Sequence, residues 1–348
     1  MNDYEECLRG YTEKNNELVD RVDDGVRCFA CGHNCMIKVG QSGICRMRYN
    51  EGGELYVPWD YVSSLSVDPM EKKPFFHAYP GQEALSYGML GCNMHCPYCQ
   101  NWQISQTVRD STATVFPRRI KPHEIIEQAR KAGVDTVIAT YNEPLITSEW
   151  NRKVFELARQ EGMKTGYVSN GYATPRVLDY LQPVTDLFNV DFKTSSPEHY
   201  RKLGADIEVV KDSIRRIYEM GIHLEVITLL VPGQSDSPDN IDNIADFLLS
   251  VSPDIPWHLT AFRGAYKWRD RPSTSVASLR RAFETASSSG MKYVYCGNLP
   301  GSIKDGENTY CSDCGELLIA RTGYSIRNNY MSGSNCPGCG SKIYGRYV

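Results

Sequence analysis

Residues 91–101 read Gly91-Cys92-Asn93-Met94-His95-Cys96-Pro97-Tyr98-Cys99-Gln100-Asn101, directly after the apolar run Ala84 to Leu90. Three thiolates on one tight loop can hold three corners of a cubane iron–sulfur cluster, which ordinarily takes four cysteines. No fourth cysteine follows locally, so one iron is left open to a ligand. A cluster needs that opening if it is to do chemistry beyond electron transfer. The alternative is a zinc site completed by His95 or by a distant ligand. An apolar strand running into a chemistry-bearing loop is also how parallel βα proteins place their sites, so the downstream chain tests both readings.

The spacing C-x3-C-x-aromatic-C, with Tyr98 as the aromatic, resembles the loop of the radical S-adenosylmethionine (SAM) superfamily. The resemblance implies a [4Fe-4S] cluster on Cys92, Cys96 and Cys99 whose open iron binds the amino and carboxylate groups of SAM. It implies one-electron cleavage of the sulfonium to a 5′-deoxyadenosyl radical.

From Ala84 to about Asn298 short apolar runs alternate with helix-length periodic segments. Strands are expected near 85–90, 136–141, 165–170, 187–192, 223–230 and 257–262, with a further candidate at 292–296. Helices are expected near 122–132, 147–162, 175–181, 207–220, 239–251 and 276–289. Pro122 suits a first helical turn, and Gly133, Gly162, Gly221 and Gly290 suit C-terminal stops. Regular alternation predicts a parallel sheet with crossover helices, closed or partly closed into a barrel. The chemistry of such a fold belongs on the loops after the strands.

Those loops carry polar groups in sequence: Thr140-Tyr141-Asn142-Glu143-Pro144, Ser169-Asn170-Gly171, Asp191-Phe192-Lys193, Val231-Pro232-Gly233 and Thr260-Ala261-Phe262-Arg263. They suit a zwitterionic ligand that bears a ribose. Glu143 is the partner for an ammonium, next to Asn142. Lys193, Asn170 and Ser169 are candidates for a carboxylate, and Asp191 for ribose hydroxyls. Tyr98 and the Pro232-Gly233 turn offer a wall and donors for adenine. For Asp191 and Lys193 the plain alternative is a salt bridge on the barrel rim.

Two further cysteine groups flank this region, leaving only Cys7 and Cys296 alone among thirteen cysteines. Cys28, Cys31, Cys35 and Cys45 form an N-terminal set for zinc or, alternatively, an auxiliary iron–sulfur cluster. Metal binding there would supply folding energy to a segment poor in apolar residues. Cys311-x2-Cys314 and Cys336-x2-Cys339 are paired knuckles that predict a zinc ribbon or a rubredoxin-like iron site. The expected domains are an extension with the four-cysteine site and a connector (1–80), a barrel (81–298) and the ribbon (299–348). Within the connector, Lys72, Lys73 and His77 either reach over the active site or pack on the barrel.

The 348 residues are 41% hydrophobic and carry a net charge of −4, enough for a core and without a basic footprint for nucleic acid. No apolar run approaches the ~20 residues that span a bilayer. The opening MNDYEECLRGYTEKNNELVD lacks the basic-then-apolar order of a signal peptide. A reducing cytoplasm is the expected compartment, and close C-x2-C pairs there read as metal ligands.

The resemblance becomes narrower with Asp68-Pro69-x-Glu71-Lys72-Lys73-Pro74, Asn189-Val190-Asp191-Phe192-Lys193 and Gly297-Asn298-Leu299-Pro300-Gly301. With the cysteine groups, these resemble the radical SAM member of the AmmeMemoRadiSam system, a family similar to pyruvate formate-lyase-activating enzymes. It implies a partial (β/α)6 barrel and carries Glu143, Asn170, Asp191 and Lys193 over as SAM contacts. It implies a reducing electron donor of flavodoxin or ferredoxin type and an oxidoreductase acting on a protein or peptide, with Memo or AMMECR-type partners as candidates. The alternatives are a radical SAM enzyme acting on a small molecule or nucleotide, and a non-catalytic multi-zinc binding protein. The chain departs from the activating enzymes at Tyr141-Asn142, where they carry two glycines. It departs again at Val168, where an acid beside a monovalent cation is common, and at Arg263, where histidine is usual.

Overall fold

A computed structural model describes residues 3–347. Its centre is one eight-stranded sheet. The strands are β1 (Ser64–Pro69), β2 (Glu83–Gly88), β3 (Thr136–Ala139), β4 (Lys164–Ser169), β5 (Leu187–Asp191), β6 (His223–Leu230), β7 (Trp257–Ala261) and β8 (Val294–Gly297). Neighbours in sequence are neighbours in the sheet throughout. β2 to β8 run parallel, and β1 pairs antiparallel with β2. Every residue of β3 and of β7 is buried, as in a parallel sheet covered on both faces.

Six helices cross between the parallel strands: α1 (Pro122–Ala132), α2 (Ser148–Gln160), α3 (Pro175–Leu181), α4 (Ile207–Glu219), α5 (Pro238–Val251) and α6 (Val276–Ser288). Their starts follow from the sequence. Thr174, Asp206, Ser237 and Ser275 each accept a first-turn backbone N–H at the N-cap. Gly133 closes α1 at φ 70°. A short helix, Pro197–Leu203, lies outside the expected set.

β1 forms where a connector was expected, so the sheet reaches back before residue 81. Its six residues are mostly half-exposed, which suits an edge strand and leaves little hydrophobic alternation to read. The chain then crosses the N-terminal half of the sheet as a plug anchored on Glu225 of β6. That carboxylate accepts N–H groups from Phe76 (3.0 Å) and His77 (2.8 Å) and pairs with His223 (3.0 Å) and His258 (2.6 Å). His77 therefore sits deep in the plug, bonded to the Tyr295 hydroxyl and the Tyr344 carbonyl, away from the cluster loop. Lys73 is buried on Asp68 at 2.7 Å.

The N-terminal segment folds as small antiparallel sheets and is tied to the main body by a buried pair: Arg48 meets Glu149 of α2 at 2.6 Å. At the other end, Thr309–Tyr310, Leu317–Thr322 and Ser325–Asn329 form a three-stranded antiparallel sheet. Leu318, Ile319 and Ile343 pack against Phe76, Tyr293 and Tyr295, fusing this sheet to β8 and the plug. Among the described residues no helix is long and apolar enough to cross a membrane.

Candidate active site

β2 delivers the cysteine loop. Gly91 turns the chain at φ 87°, and a Cβ there would lie 2.3 Å from Met47 Cγ, so glycine is required by both conformation and space. The loop is then pinned from outside. Asn142 Oδ1 accepts the Met89 N–H (3.0 Å) and its Nδ2 donates to the Gly91 carbonyl (3.1 Å). Met94 N–H donates to Cys92 Sγ (3.4 Å), Asn170 Nδ2 to Asn93 Oδ1 (2.7 Å), and Cys99 Sγ meets Ser105 Oγ at 3.2 Å. Donors aimed at sulfur favour thiolate ligands. Cys92, Cys96 and Cys99, with their ordinary thiol pKa pushed up first by burial, need a metal to draw off their protons.

Among the described residues, neither these three cysteines nor any set including His95 brings its ligand atoms within 4.8 Å of one another. His95 is exposed and packs its ring against Gly204.

Facing the loop is a cavity of about 260 Å³ lined by Cys92, Cys96, Tyr98, Glu143, Asp191 and Lys193 among others. Glu143 caps the turn before α2. Its carboxylate accepts Leu145 N–H (3.0 Å), Ser169 Oγ–H (2.7 Å) and Asn170 N–H (2.8 Å). Burial raises its pKa to about 7 against those donors, and Asp191 adds to the rise. Ser169 and Asn170 thus hold the carboxylate and still line the cavity. Lys193 Nζ lies 2.6 Å from Asp191 Oδ2, the rim pair anticipated as the plain alternative, and both residues line the cavity as well. Tyr98 is buried edge-on to Phe262 and tilted on Trp268, with ring centres 6.3 and 5.3 Å apart.

Pro232 and Gly233 do not line the cavity. Ser235 Oγ accepts the Val231 N–H and donates to the Leu229 carbonyl, folding the turn back, and Gly233 N–H is spent on Asp236 at 2.7 Å. Leu229 and Ile227 of β6 provide the apolar wall instead. Asn142 lines the cavity, but its amide is committed to the backbone of residues 89–91, so its part is to position the loop. Thr140, Thr260 and Asn298 also reach the cavity and were not singled out. The signal for Asn298 was its place at the end of β8, the one strand left as a further candidate. Tyr141, the residue before Asn142, holds a positive φ of 73°. Its hydroxyl donates to Asp68 (2.9 Å), and Lys73 lies over its ring.

Cys311, Cys314, Cys336 and Cys339 bring all four sulfurs within 4.8 Å of one another, a four-cysteine metal centre near the C-terminus. Cys28, Cys31, Cys35 and Cys45 do not gather so closely.

Comparison with known proteins agrees with this geometry. The profile of the radical SAM superfamily matches residues 87–248, the span from β2 into α5. An uncharacterized protein of Methanocaldococcus jannaschii is 37% identical over 329 residues, covering 93% of this chain and 97% of that protein. Pyruvate formate-lyase-activating enzyme of Staphylococcus aureus is 27% identical over 194 residues, covering 51% of this chain and 75% of the enzyme. Among solved structures, a radical SAM methyltransferase from Sphaerobacter thermophilus aligns with a TM-score of 0.49 at 16% identity, covering 88% of this chain and 81% of that one. A cysteine loop at the end of the first parallel strand, a cavity at the following strand ends and the matching profile lead to one assignment: residues 87–248 are a radical SAM domain, with distant similarity to pyruvate formate-lyase-activating enzymes.

Proposed function

We propose that the protein is a radical SAM enzyme that takes a hydrogen atom from a short polypeptide segment, as expected of an activating enzyme of the AmmeMemoRadiSam type. The observation that carries this reading is that two cavities lie side by side and share walls. The one beside the cysteine loop shares Gln100, Ile227, Thr260 and Asn298 with a second of about 650 Å³. That second space opens between β6–β8, the plug and the ribbon, with Glu71, Arg263, Glu307 and Tyr324 on its walls. Glu71 is buried, and its Oε2 has no partner, so it is an acceptor for an N–H that enters the space.

Cys92, Cys96 and Cys99 hold the [4Fe-4S] cluster in this reading, and Glu143, Asp191 and Lys193 with Tyr98 hold SAM. When bound, the pair supplies the 5′-deoxyadenosyl radical; the protein supplies position and shelter. Glu143 receives the ammonium, Ser169 and Asn170 fix that carboxylate, and Lys193 is the cation for a ligand carboxylate. Ile227, Leu229, Val168 and Met94 give the smaller cavity its apolar wall and help exclude water from it. The C-terminal centre holds structural zinc as a ribbon. The electron comes from a flavodoxin- or ferredoxin-type donor, and the protein works in a reducing cytoplasm.

The test is anaerobic reconstitution followed by label transfer. Reduction with dithionite should yield 5′-deoxyadenosine from SAM, and a deuterated partner protein should pass deuterium into it. A reconstituted protein that holds zinc alone and leaves SAM intact would overturn the reading. A second reading, a small-molecule substrate, is favoured by the volume itself, since about 300–1,000 Å³ is the range of small-ligand clefts. Deuterium arriving from a metabolite but from no polypeptide would select it.

A further inference from the structure

The cysteine loop borders a third cavity, of about 580 Å³, that shares no residue with the other two. The N-terminal segment lines one side of it, from Leu8 to Tyr49, and His95, Val108 and Arg109 line the other. His95 stands between Cys92 and Cys96 in the loop and is exposed. The loop is therefore reached from two directions, one through the SAM-side cavity and one through this space.

The charge of the third cavity is one-sided. Arg9, Arg46 and Arg109 line it, and no Asp or Glu among the described residues does, although the chain as a whole carries a net charge of −4. The guanidinium donors are already committed. Arg46 donates to the Val108 carbonyl (2.9 Å), and Arg109 to the carbonyls of Met94 (3.0 Å) and Ile44 (2.7 Å). Arg9 meets Glu51 at 3.2 Å. A tight phosphate or carboxylate site wants a free fork that closes on two oxygens. Here the forks hold backbone in place, and what remains is positive charge, which attracts an acidic surface at longer range.

The same wall has an apolar part. Ile44 is 53% exposed on it, and Val39, next to the lining residue Gly40, is 59% exposed. Apolar contact ringed by complementary charge suits a weak redox encounter, which buries little area and is aligned by electrostatics. The wall also leads to a ligand sulfur. Arg109 holds the Met94 carbonyl, and Met94 N–H donates to Cys92 Sγ at 3.4 Å, so a single residue separates this face from Cys92.

We propose that the face formed by Arg9, Arg46, Arg109, His95 and Ile44 docks an acidic one-electron carrier protein that reduces the cluster. The inference rests on the proposed reaction, in which SAM and substrate take the other two cavities and an electron must come from outside. This face is reached without crossing either of them. In the transfer the carrier is oxidised by one electron and the cluster reduced by one, and no bond in this chain forms or breaks.

The test needs no turnover. The anaerobically reconstituted full chain is titrated with an oxidised acidic ferredoxin, and the equilibrium Kd is read by calorimetry. Binding should weaken steeply as ionic strength rises from about 0.02 to about 0.2 M. Arg9→Glu with Arg46→Glu should weaken it at least about tenfold at the lower salt and flatten the salt dependence. Arg9→Lys with Arg46→Lys keeps the charge and should bind within about twofold of the unaltered protein. Should the glutamate pair fail to fold, Arg46→Gln alone should cost about two- to fivefold. The proposal is overturned by binding that ignores salt, by glutamate variants that bind as well as the unaltered protein, or by no binding of either the ferredoxin or an acidic flavodoxin. Inorganic phosphate that displaces the ferredoxin more strongly than chloride of equal ionic strength would mark a small-anion site and overturn it too. Failure of the proposed reaction would show instead as no deoxyadenosine from the unaltered protein with dithionite, which needs no docking, and the binding result would stand apart from it.

Discussion

Three donors, Leu145 N–H, Ser169 Oγ–H and Asn170 N–H, point at the Glu143 carboxylate, yet burial outweighs them and its pKa rises to about 7. The folded-state value lies above the ordinary 4.5. The stability this group contributes is therefore full below that value and is lost as pH climbs through about 7. A ligand ammonium reverses the balance by favouring the ionised form. Removing the charge with Glu143→Gln should weaken SAM binding to the reconstituted protein by about 10- to 100-fold at pH 8, the worth of a charge-assisted bond. At pH 6 the gap between the two proteins should narrow, because much of the unaltered Glu143 is then protonated. Equilibrium binding at both pH values measures it, and a gap that ignores pH would remove Glu143 from the ammonium site. This residue was legible because a carboxylate at a strand end beside proline has few other uses. Asn142 and the Pro232-Gly233 turn were not legible in the same way. Sequence places a residue at a strand end, but the backbone decides whether its amide turns to the cavity or is used up holding the loop.

At the scale of elements, the parallel strands and their helices follow from apolar runs and capping residues, and they lie within a few residues of the expected spans. What periodicity could not supply was the segment from β1 through the plug, whose partners are remote. Ser64–Pro69 pairs with β2 across the whole plug segment, and residues 74–77 are fixed by β5, β6 and the C-terminal sheet through Asn189, Glu225 and Arg321. Glu225 is the anchor. Burial would raise its pKa, but hydrogen bonds from His223 and His258 overcome that and hold it well below the carboxylate range. His77 is likewise depressed, to about 3, mainly by burial. Both shifts act in one direction. A depressed carboxylate loses its contribution as pH falls, and a histidine buried neutral costs stability once the unfolded chain takes up its proton below about 6.5. Urea unfolding should show stability falling from about pH 6.5 downward. Glu225→Ala should cost about 3–5 kcal/mol by leaving His and N–H groups unpaired, and it should flatten that acid slope. A loss below 1 kcal/mol would show that the plug is held by packing alone.

On the scale of the whole molecule the spacing of Cys311, Cys314, Cys336 and Cys339 announced a compact metal-bound unit but could not say where it docks. It docks on the open edge of the sheet. Arg321 is buried, donating to the Phe76 carbonyl (2.8 Å) and to Thr309 Oγ1 (2.7 Å), with its guanidinium 4.5 Å from the centre of the Phe76 ring. Glu307 binds the N–H groups of Gly301 (3.3 Å) and Gly323 (3.1 Å), and with Thr322 and Tyr324 it forms one wall of the larger cavity. The smaller cavity at the cysteine loop has no residue from this unit on its walls. Loss of the C-terminal metal should therefore separate two properties that a uniform collapse would take together. Cys336→Ser should raise amide hydrogen exchange across residues 307–324 and in β8, since the metal supplies folding energy to so small a unit. SAM affinity and slow cleavage of SAM in the absence of substrate should persist, because the C-terminal unit puts no residue on the smaller cavity. Deuterium transfer from substrate should fall, because the larger cavity proposed to seat it loses that wall. Equal losses of SAM binding and label transfer would mean that the C-terminal unit supports the main sheet as a whole, and the larger cavity would then lose its claim to be the substrate's seat.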